Sequence, residues 1–196
     1  PQAARSAAAA IFANMGQVCS AGSRLLVQRS VADAMLSELL HATQAYQPGH
    51  PLDPATVTGA IIDGGQLQQI NQYLDIGRQE ATLLRGGRTL QLAGTGAYLE
   101  PTIFLAKDAS ARIANEEIFG PVLVVIVFDT LDEAIAIANQ TEYGLAAAIW
   151  SSSIHTIHSA TRRLKAGTVW VNCYDELVDM NFPFGGFKES GNGRDN

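Results

Sequence analysis

Apolar residues recur along the second half of the chain as buried strands alternating with amphipathic helices. The segment 122–128, VLVVIVF, is apolar and β-branched almost throughout, which is typical of a strand buried on both faces of a parallel sheet. Helical spacing follows at 131–140, a strand at 145–151, a helix at 154–164 and a strand at 167–172. This β-α-β-α-β order predicts parallel strands joined by right-handed crossovers.

The first half of the chain carries a similar but less regular pattern. An alanine-rich run predicts a helix at 2–14, and apolar spacing predicts further helices at 31–46 and 64–81. Short apolar runs predict strands at 24–28 and 81–87. Both halves together predict an α/β fold, a mostly parallel open sheet with helices on both faces.

Composition narrows the class of protein. The chain has 196 residues, 47% hydrophobic and 16% charged, which is typical of a globular domain with a sizeable core. A net charge of −6 gives no reason to expect nucleic acid or an anionic membrane as a partner. Two cysteines do not make a disulfide framework, so we expect a cytoplasmic protein. No apolar run approaches the roughly 18 residues of a membrane-spanning helix.

Cys19 is the first candidate for chemistry. It stands among small residues in NMGQVCSAGSR, residues 14–24. Most free cysteines only fill buried space, whereas a nucleophilic thiol needs a group that activates it, and no histidine lies within a few residues. From the residues alone, both interpretations stay open. The histidines show no HExxH spacing or third ligand, so no metal site is expected.

A second candidate is NEEIFGPV at 115–122. Two adjacent glutamates and an aromatic residue precede a Gly-Pro turn that leads into the buried strand. One interpretation is a ligand-binding turn that presents a carboxylate beside a ring. The other is structural, with Glu116 and Glu117 solvating a helix end and Phe119 packed in the core.

Several segments, taken together, carry a resemblance to a known family. GQVCSAGSR, EEIFGPV, YGLAAAIWS, AGTVWVN and PFGGFKESGNGR resemble, in order and spacing, signature segments of the NAD(P)-dependent aldehyde dehydrogenase superfamily. The resemblance covers essentially all of residues 1–196 and implies the catalytic domain of a larger enzyme. It implies that the cofactor-binding domain and a C-terminal oligomerisation segment lie outside this chain. The parent would be a homodimer or homotetramer that oxidises an aldehyde to an acid with NAD or NADP.

The resemblance also implies roles for individual residues. Cys19 matches the nucleophile, which forms a thiohemiacetal and then a thioester, and its backbone N–H would help to hold the oxyanion. Glu117 matches a residue that binds the nicotinamide ribose, and Phe119 matches the ring beside the nicotinamide. Gln66 falls where the family has another polar contact to the cofactor. The family's general base, a glutamate, and its oxyanion-hole asparagine have no match in this chain.

The last segments imply a substrate. The pattern from DM through PFGG to SGNGRD is similar to the branch that oxidises γ-glutamyl-γ-aminobutyraldehyde. Asp175, Asp179 and Phe184 would line the aldehyde pocket, where acidic groups favour an aminoaldehyde. The alternatives are solvated loop charges on Asp175 and Asp179, a non-catalytic remnant, or a thiol esterase that works without a cofactor.

Overall fold

The computed structural model describes residues 1–92, 96–175 and 182–195. The helices are α1 Gln2–Phe12, α2 Ala32–Ala42, α3 Gly64–Glu80, α4 Leu131–Asn139 and α5 Ile154–Arg163. The strands are β1 Arg24–Gln28, β2 Ala81–Arg85, β3 Thr89–Leu90, β4 Tyr98–Leu99, β5 Thr102–Ala106, β6 Val122–Phe128, β7 Tyr143–Gly144, β8 Ala146–Ile149, β9 Thr168–Val171 and β10 Phe187–Lys188.

The main sheet has four strands in the order β1-β6-β5-β2. Strand β6 is parallel to β1 and to β5, and β2 is antiparallel to β5. The predicted strand at 122–128 is therefore central, and its residues Val122 to Ile126 are buried. Its neighbour β5 was not predicted, although Thr102 to Phe104 are also buried.

Helices cover both faces of this sheet. Side chains alternate along a strand, so consecutive residues of β6 enter different cores. Leu123 and Val125 pack with α1 and α2, whereas Val122 and Val124 pack with Ile70 of α3. The predicted α/β class, with a largely parallel sheet and helices on both faces, is confirmed.

The predicted β-α-β-α-β run does not lie in one sheet. Both edges of β6 are occupied, by β1 and β5, so β8 has no hydrogen-bonding position beside it. Strand β8 instead pairs in parallel with β9, Ala146 opposite Thr168 and Ile149 opposite Val171. The crossover strands thus form a separate two-stranded sheet.

Side-chain caps begin several of the helices. Asp63, Thr130 and Ser153 each accept a hydrogen bond from a backbone N–H in the first turn of α3, α4 and α5. Within the described ranges, none of the helices combines the length and apolar character needed to cross a membrane.

Candidate active site

Cys19 occupies a tight turn between α1 and β1. The Ala21 N–H donates to the carbonyl oxygen of Val18 at 3.0 Å, which closes the turn around Cys19 and Ser20. The Cys19 side chain is exposed, whereas Ser20 is buried. Among the described residues, nothing accepts a hydrogen bond from the Cys19 N–H. Cys19 is therefore not a space-filling core residue, and its N–H has no hydrogen-bond acceptor among the described residues.

The chain reaches this turn through an unusual backbone path. After α1 ends at Phe12, three successive residues have positive φ: 50° at Asn14, 56° at Met15 and 68° at Gly16. A Cβ on Gly16 would overlap the carbonyl oxygen of Gly120. Glycine is required here both for the left-handed conformation and for this close approach. The contact joins the Cys19 segment to the turn after Phe119.

A second connection joins the Cys19 segment to helix α3. The Gln17 Oε1 accepts from the Ile62 N–H at 2.9 Å, and Asp63, next in sequence, caps α3 by accepting from the Gln66 N–H at 2.7 Å. The Gln66 Nε2 donates to the carbonyl oxygen of Phe119 at 3.0 Å. The structure thus places Gln66 and Phe119 together, with the Gln66 amide hydrogen-bonded to the backbone of the Phe119 turn.

The two adjacent glutamates differ in their surroundings. Glu116 accepts two hydrogen bonds from the Arg112 guanidinium, at 2.8 and 2.9 Å, and one from the Tyr73 hydroxyl at 2.9 Å. The Arg112 and Tyr73 hydrogen bonds lower the pKa of the Glu116 carboxyl. Glu117 is exposed and accepts no hydrogen bond from any residue that the structure describes. Glu116 is therefore structural, and the carboxylate that remains available to a ligand belongs to Glu117.

Phe119 presents its ring to solvent. Its side chain is 38% exposed and its φ is 54°, an uncommon value for a bulky residue. Such strained conformations cluster at functional sites, where the surrounding structure holds them in place. The hydrogen bond from Gln66 and the close packing of Gly120 on Ile70 provide that constraint.

The segment after β9 also contacts the Cys19 turn. Asn172 has a φ of 56°, and its side chain exchanges two hydrogen bonds with the backbone of Ser151, at 2.9 and 3.0 Å. This fixed bend directs the chain toward Ser20, whose carbonyl oxygen accepts from the Tyr174 hydroxyl at 2.6 Å. Cys173, between them, is only partly exposed.

The three residues predicted to line the aldehyde pocket differ in their surroundings. Asp175 is exposed next to Tyr174, and burial followed by the Asp175 charge raises the pKa of the Tyr174 hydroxyl. Asp179 lies outside the described residues. Phe184 is half-buried and pairs with Asp195 through two backbone hydrogen bonds, at 3.0 and 3.1 Å.

Known proteins match this chain along its whole length. The model of the aldehyde dehydrogenase family matches residues 1–196. The chain belongs to the aldehyde dehydrogenase family. One relative in the family is the NADP/NAD-dependent aldehyde dehydrogenase PuuC of Escherichia coli strain K12, which is 48% identical over 99% of this chain and 38% of its own length. The chain thus spans less than two-fifths of that relative.

Solved structures of aldehyde dehydrogenases share the fold. The γ-glutamyl-γ-aminobutyraldehyde dehydrogenase of Burkholderia cenocepacia J2315 has a TM-score of 0.97 and 59% identity, over 100% of this chain and 39% of that one. A mutant of the P. syringae indole-3-acetaldehyde dehydrogenase AldA, in complex with NAD+ and IAA, has a TM-score of 0.96 and 52% identity over the same shares.

Sequence reasoning missed residues that connect the segments of this candidate site. Tyr174 and Gln17 act through contacts with residues far along the chain, and no local pattern signals them. The Arg112–Glu116 pair did carry a signal, because charges of opposite sign four residues apart face each other on a helical turn. The difference between Glu116 and Glu117 also depends on Tyr73, whose hydroxyl donates to Glu116 and which no local spacing signals.

Proposed function

We propose that this chain is the thiol-bearing catalytic domain of a longer NAD(P)-dependent aldehyde dehydrogenase that oxidises an aldehyde to a carboxylic acid. The observation that supports this best is the placement of Cys19, exposed on a turn that Gly16 joins to the Phe119 turn and Gln17 joins to the start of α3. The family membership over residues 1–196 supports the reaction class.

The proposed chemistry begins at the Cys19 sulfur. Its thiolate adds to the aldehyde carbon, and the Cys19 N–H donates to the oxyanion that forms, giving a thiohemiacetal. Loss of hydride from that carbon leaves a thioester on Cys19. Water then cleaves the thioester, which releases the carboxylic acid and returns the thiol. The base that activates this water is expected elsewhere in the protein.

The residues around Phe119 fit the nicotinamide end of NAD or NADP. Glu117 supplies an exposed carboxylate that suits ribose hydroxyls, and Phe119 supplies an exposed ring that suits a flat heterocycle. Glu117 and Phe119 would hold the nicotinamide, which would supply the acceptor for the hydride lost from the thiohemiacetal carbon. Gln66 supports the site mainly by holding the Phe119 carbonyl, so its predicted contact with the cofactor would use its side-chain oxygen.

We propose an aminoaldehyde of the γ-glutamyl-γ-aminobutyraldehyde type as substrate. The similarity to the B. cenocepacia enzyme of that name supports this, as does the exposed Asp175 two residues after Cys173. Asp179 and Phe184 remain proposed parts of the same pocket. We also propose a cytoplasmic homodimer or homotetramer, as the sequence led us to expect.

The test uses the full-length protein that contains this chain. NADH formation from γ-glutamyl-γ-aminobutyraldehyde should disappear in Cys19→Ser and persist in the matched variant Cys173→Ser. Activity that survives Cys19→Ser would contradict the mechanism. Ester cleavage without any NADH formation would instead favour the thiol esterase.

The 196-residue chain by itself gives a second test. It should neither bind NAD+ with micromolar affinity nor form NADH steadily, because Glu117 and Phe119 contact only one end of the cofactor. Each 1.4 kcal/mol of missing contact lowers affinity about tenfold. Calorimetric titration of the chain with NAD+ measures this directly, and micromolar binding would contradict the proposed domain division.

A further inference from the structure

The Tyr174 hydroxyl donates to the carbonyl oxygen of Ser20 at 2.6 Å, one residue after Cys19. We infer that Tyr174 is a positioning residue, which fixes the Cys19 turn so that the thiol and the Cys19 N–H point at the same aldehyde. The inference rests on the proposed role of Cys19 as nucleophile. It adds to that reaction a supporting residue that lies 154 residues after Ser20 in the sequence.

The acceptor of this hydrogen bond is buried. Ser20 is 8% exposed, so its carbonyl oxygen has little access to water. A buried carbonyl that loses its donor is destabilised, and the segment moves until it finds another partner. The Ser20 carbonyl belongs to the same four-residue turn as Cys19, closed by the Ala21 N–H on Val18. Movement of this carbonyl therefore changes the turn that carries the thiol.

The tyrosine ring is itself held in place. It packs against Trp170 of β9 with 4.8 Å between ring centroids. It also lies close to Gly22, where a Cβ would come within 3.4 Å of the ring and 3.0 Å of the Ala10 Cβ. The backbone below it is fixed by the Asn172 side chain on Ser151. The position of the Tyr174 hydroxyl is therefore fixed by the packing of its ring and by the backbone that precedes it.

Two other hydrogen bonds hold the segment that contains the Cys19 turn, one before the turn and one after it. Gln17 binds the Ile62 N–H before the turn, and the Gly22 N–H donates to the Ala10 carbonyl oxygen after it, at 3.0 Å. Neither anchor touches the central residues Cys19 and Ser20. Tyr174 supplies the contact in the middle, where the orientation of the thiol is decided. Burial raises the pKa of its hydroxyl, so the donor stays protonated at the pH values where such enzymes work.

The test compares Tyr174→Phe with Tyr98→Phe in the full-length protein. Tyr98 is a 4% exposed residue whose hydroxyl forms no hydrogen bond with the residues described, so the control removes a tyrosine hydroxyl away from the turn without removing a hydrogen bond. Single-turnover NADH formation is measured with enzyme in excess over aldehyde. Titration with iodoacetamide counts the Cys19 thiols that are competent in each preparation.

Tyr174→Phe should lower the single-turnover rate constant by about 10- to 100-fold, the range expected when a reacting group is misplaced by about 1 Å. The KM for NAD+ and for aldehyde should stay within about twofold, and Tyr98→Phe should match the parent. An unchanged rate constant would overturn the inference. So would a loss confined to the number of competent thiols, because that reports a merely structural role.

Cys19→Ser separates this inference from the proposed function. If Cys19→Ser abolishes NADH formation while Tyr174→Phe keeps the parent rate constant, the positioning role alone is wrong. If Cys19→Ser remains active, the proposed nucleophile is wrong and the role of Tyr174 falls with it.

Discussion

Replacing Gly16 by alanine should separate the two turns that form the candidate site. The φ of 68° at Gly16 costs a residue with a Cβ about 1 kcal/mol or more. The new Cβ would also come 2.6 Å from the Gly120 carbonyl carbon and 3.1 Å from the Ile11 carbonyl oxygen, both backbone atoms. Relieving this overlap requires the backbone to move, which costs about 1–3 kcal/mol of stability. Together these give a loss of about 3 kcal/mol in the free energy of unfolding.

Two other glycines separate these contributions. Gly191 also has a positive φ, 110°, but a Cβ there meets nothing within 4 Å. Gly193 has neither a positive φ nor a neighbour within 4 Å. Alanine at Gly191 therefore reports backbone strain without overlap, and alanine at Gly193 reports the exchange of glycine for alanine alone.

Thermal unfolding of the 196-residue chain measures the effect. A loss of about 3 kcal/mol corresponds to a Tm lower by about 6 to 12 °C for a chain of this size. We expect the order Gly16→Ala, Gly191→Ala, Gly193→Ala from most to least destabilised. If Gly16→Ala unfolds no earlier than Gly191→Ala, the contact between the Gly16 and Gly120 turns is not as close as described.

Three further predictions concern the thiol, the substrate and the pH dependence. Limiting iodoacetamide should label the exposed Cys19 before the partly buried Cys173, and equal labelling by mass spectrometry would contradict the assignment. In the full-length protein, Asp175→Asn should raise the KM for an aminoaldehyde several-fold, because the Asp175 carboxylate would attract the cationic group of that substrate, away from the reacting carbon. The KM for a neutral aldehyde of equal length should not change. An equal effect on both substrates would argue against charge recognition. The Arg88 hydrogen bonds lower the pKa of the Glu100 carboxyl. The pair therefore stabilises the fold fully at pH values above the unfolded-state pKa of about 4.3. This stabilisation is lost as the pH falls through the lower pKa of Glu100 in the folded protein. Urea titrations of Glu100→Gln should therefore show a weaker loss of stability below about pH 5 than the parent, and identical pH profiles would refute the linkage.

The fold was predictable where burial left a continuous pattern. The apolar run in β6 was recognised because every side chain in it is hydrophobic, and the helices were recognised by their spacing. Strand β5 was missed because TIFLA is short, begins with threonine and follows a proline, so it does not differ from a loop by pattern alone. Its central position comes from pairing with β6, which sequence spacing does not encode.

The candidate site also contains residues that the sequence indicated and residues that only the structure shows. The resemblance implied roles for Cys19, Glu117 and Phe119, residues whose predicted chemistry is carried by their own side chains. It did not identify Gln17 or Tyr174, because their effect depends on backbone atoms 45 and 154 residues away. The division of labour between Glu116 and Glu117 likewise required the structure, since Tyr73 joins the Arg112 pair from another helix.

The hydrogen bond between Tyr174 and Ser20 has a consequence for synthesis of the protein. Its two ends are 154 residues apart, so the Cys19 turn leaves the ribosome long before the residue that holds its centre. At about 5–20 residues per second, this interval lasts about 8 to 30 s. During that time α1 and the thiol are already in solution while the partner strand β9 does not yet exist. A nascent chain stalled before Tyr174 would therefore expose a less ordered thiol than the finished one, and oxidants or electrophiles would encounter it first in that unfinished state.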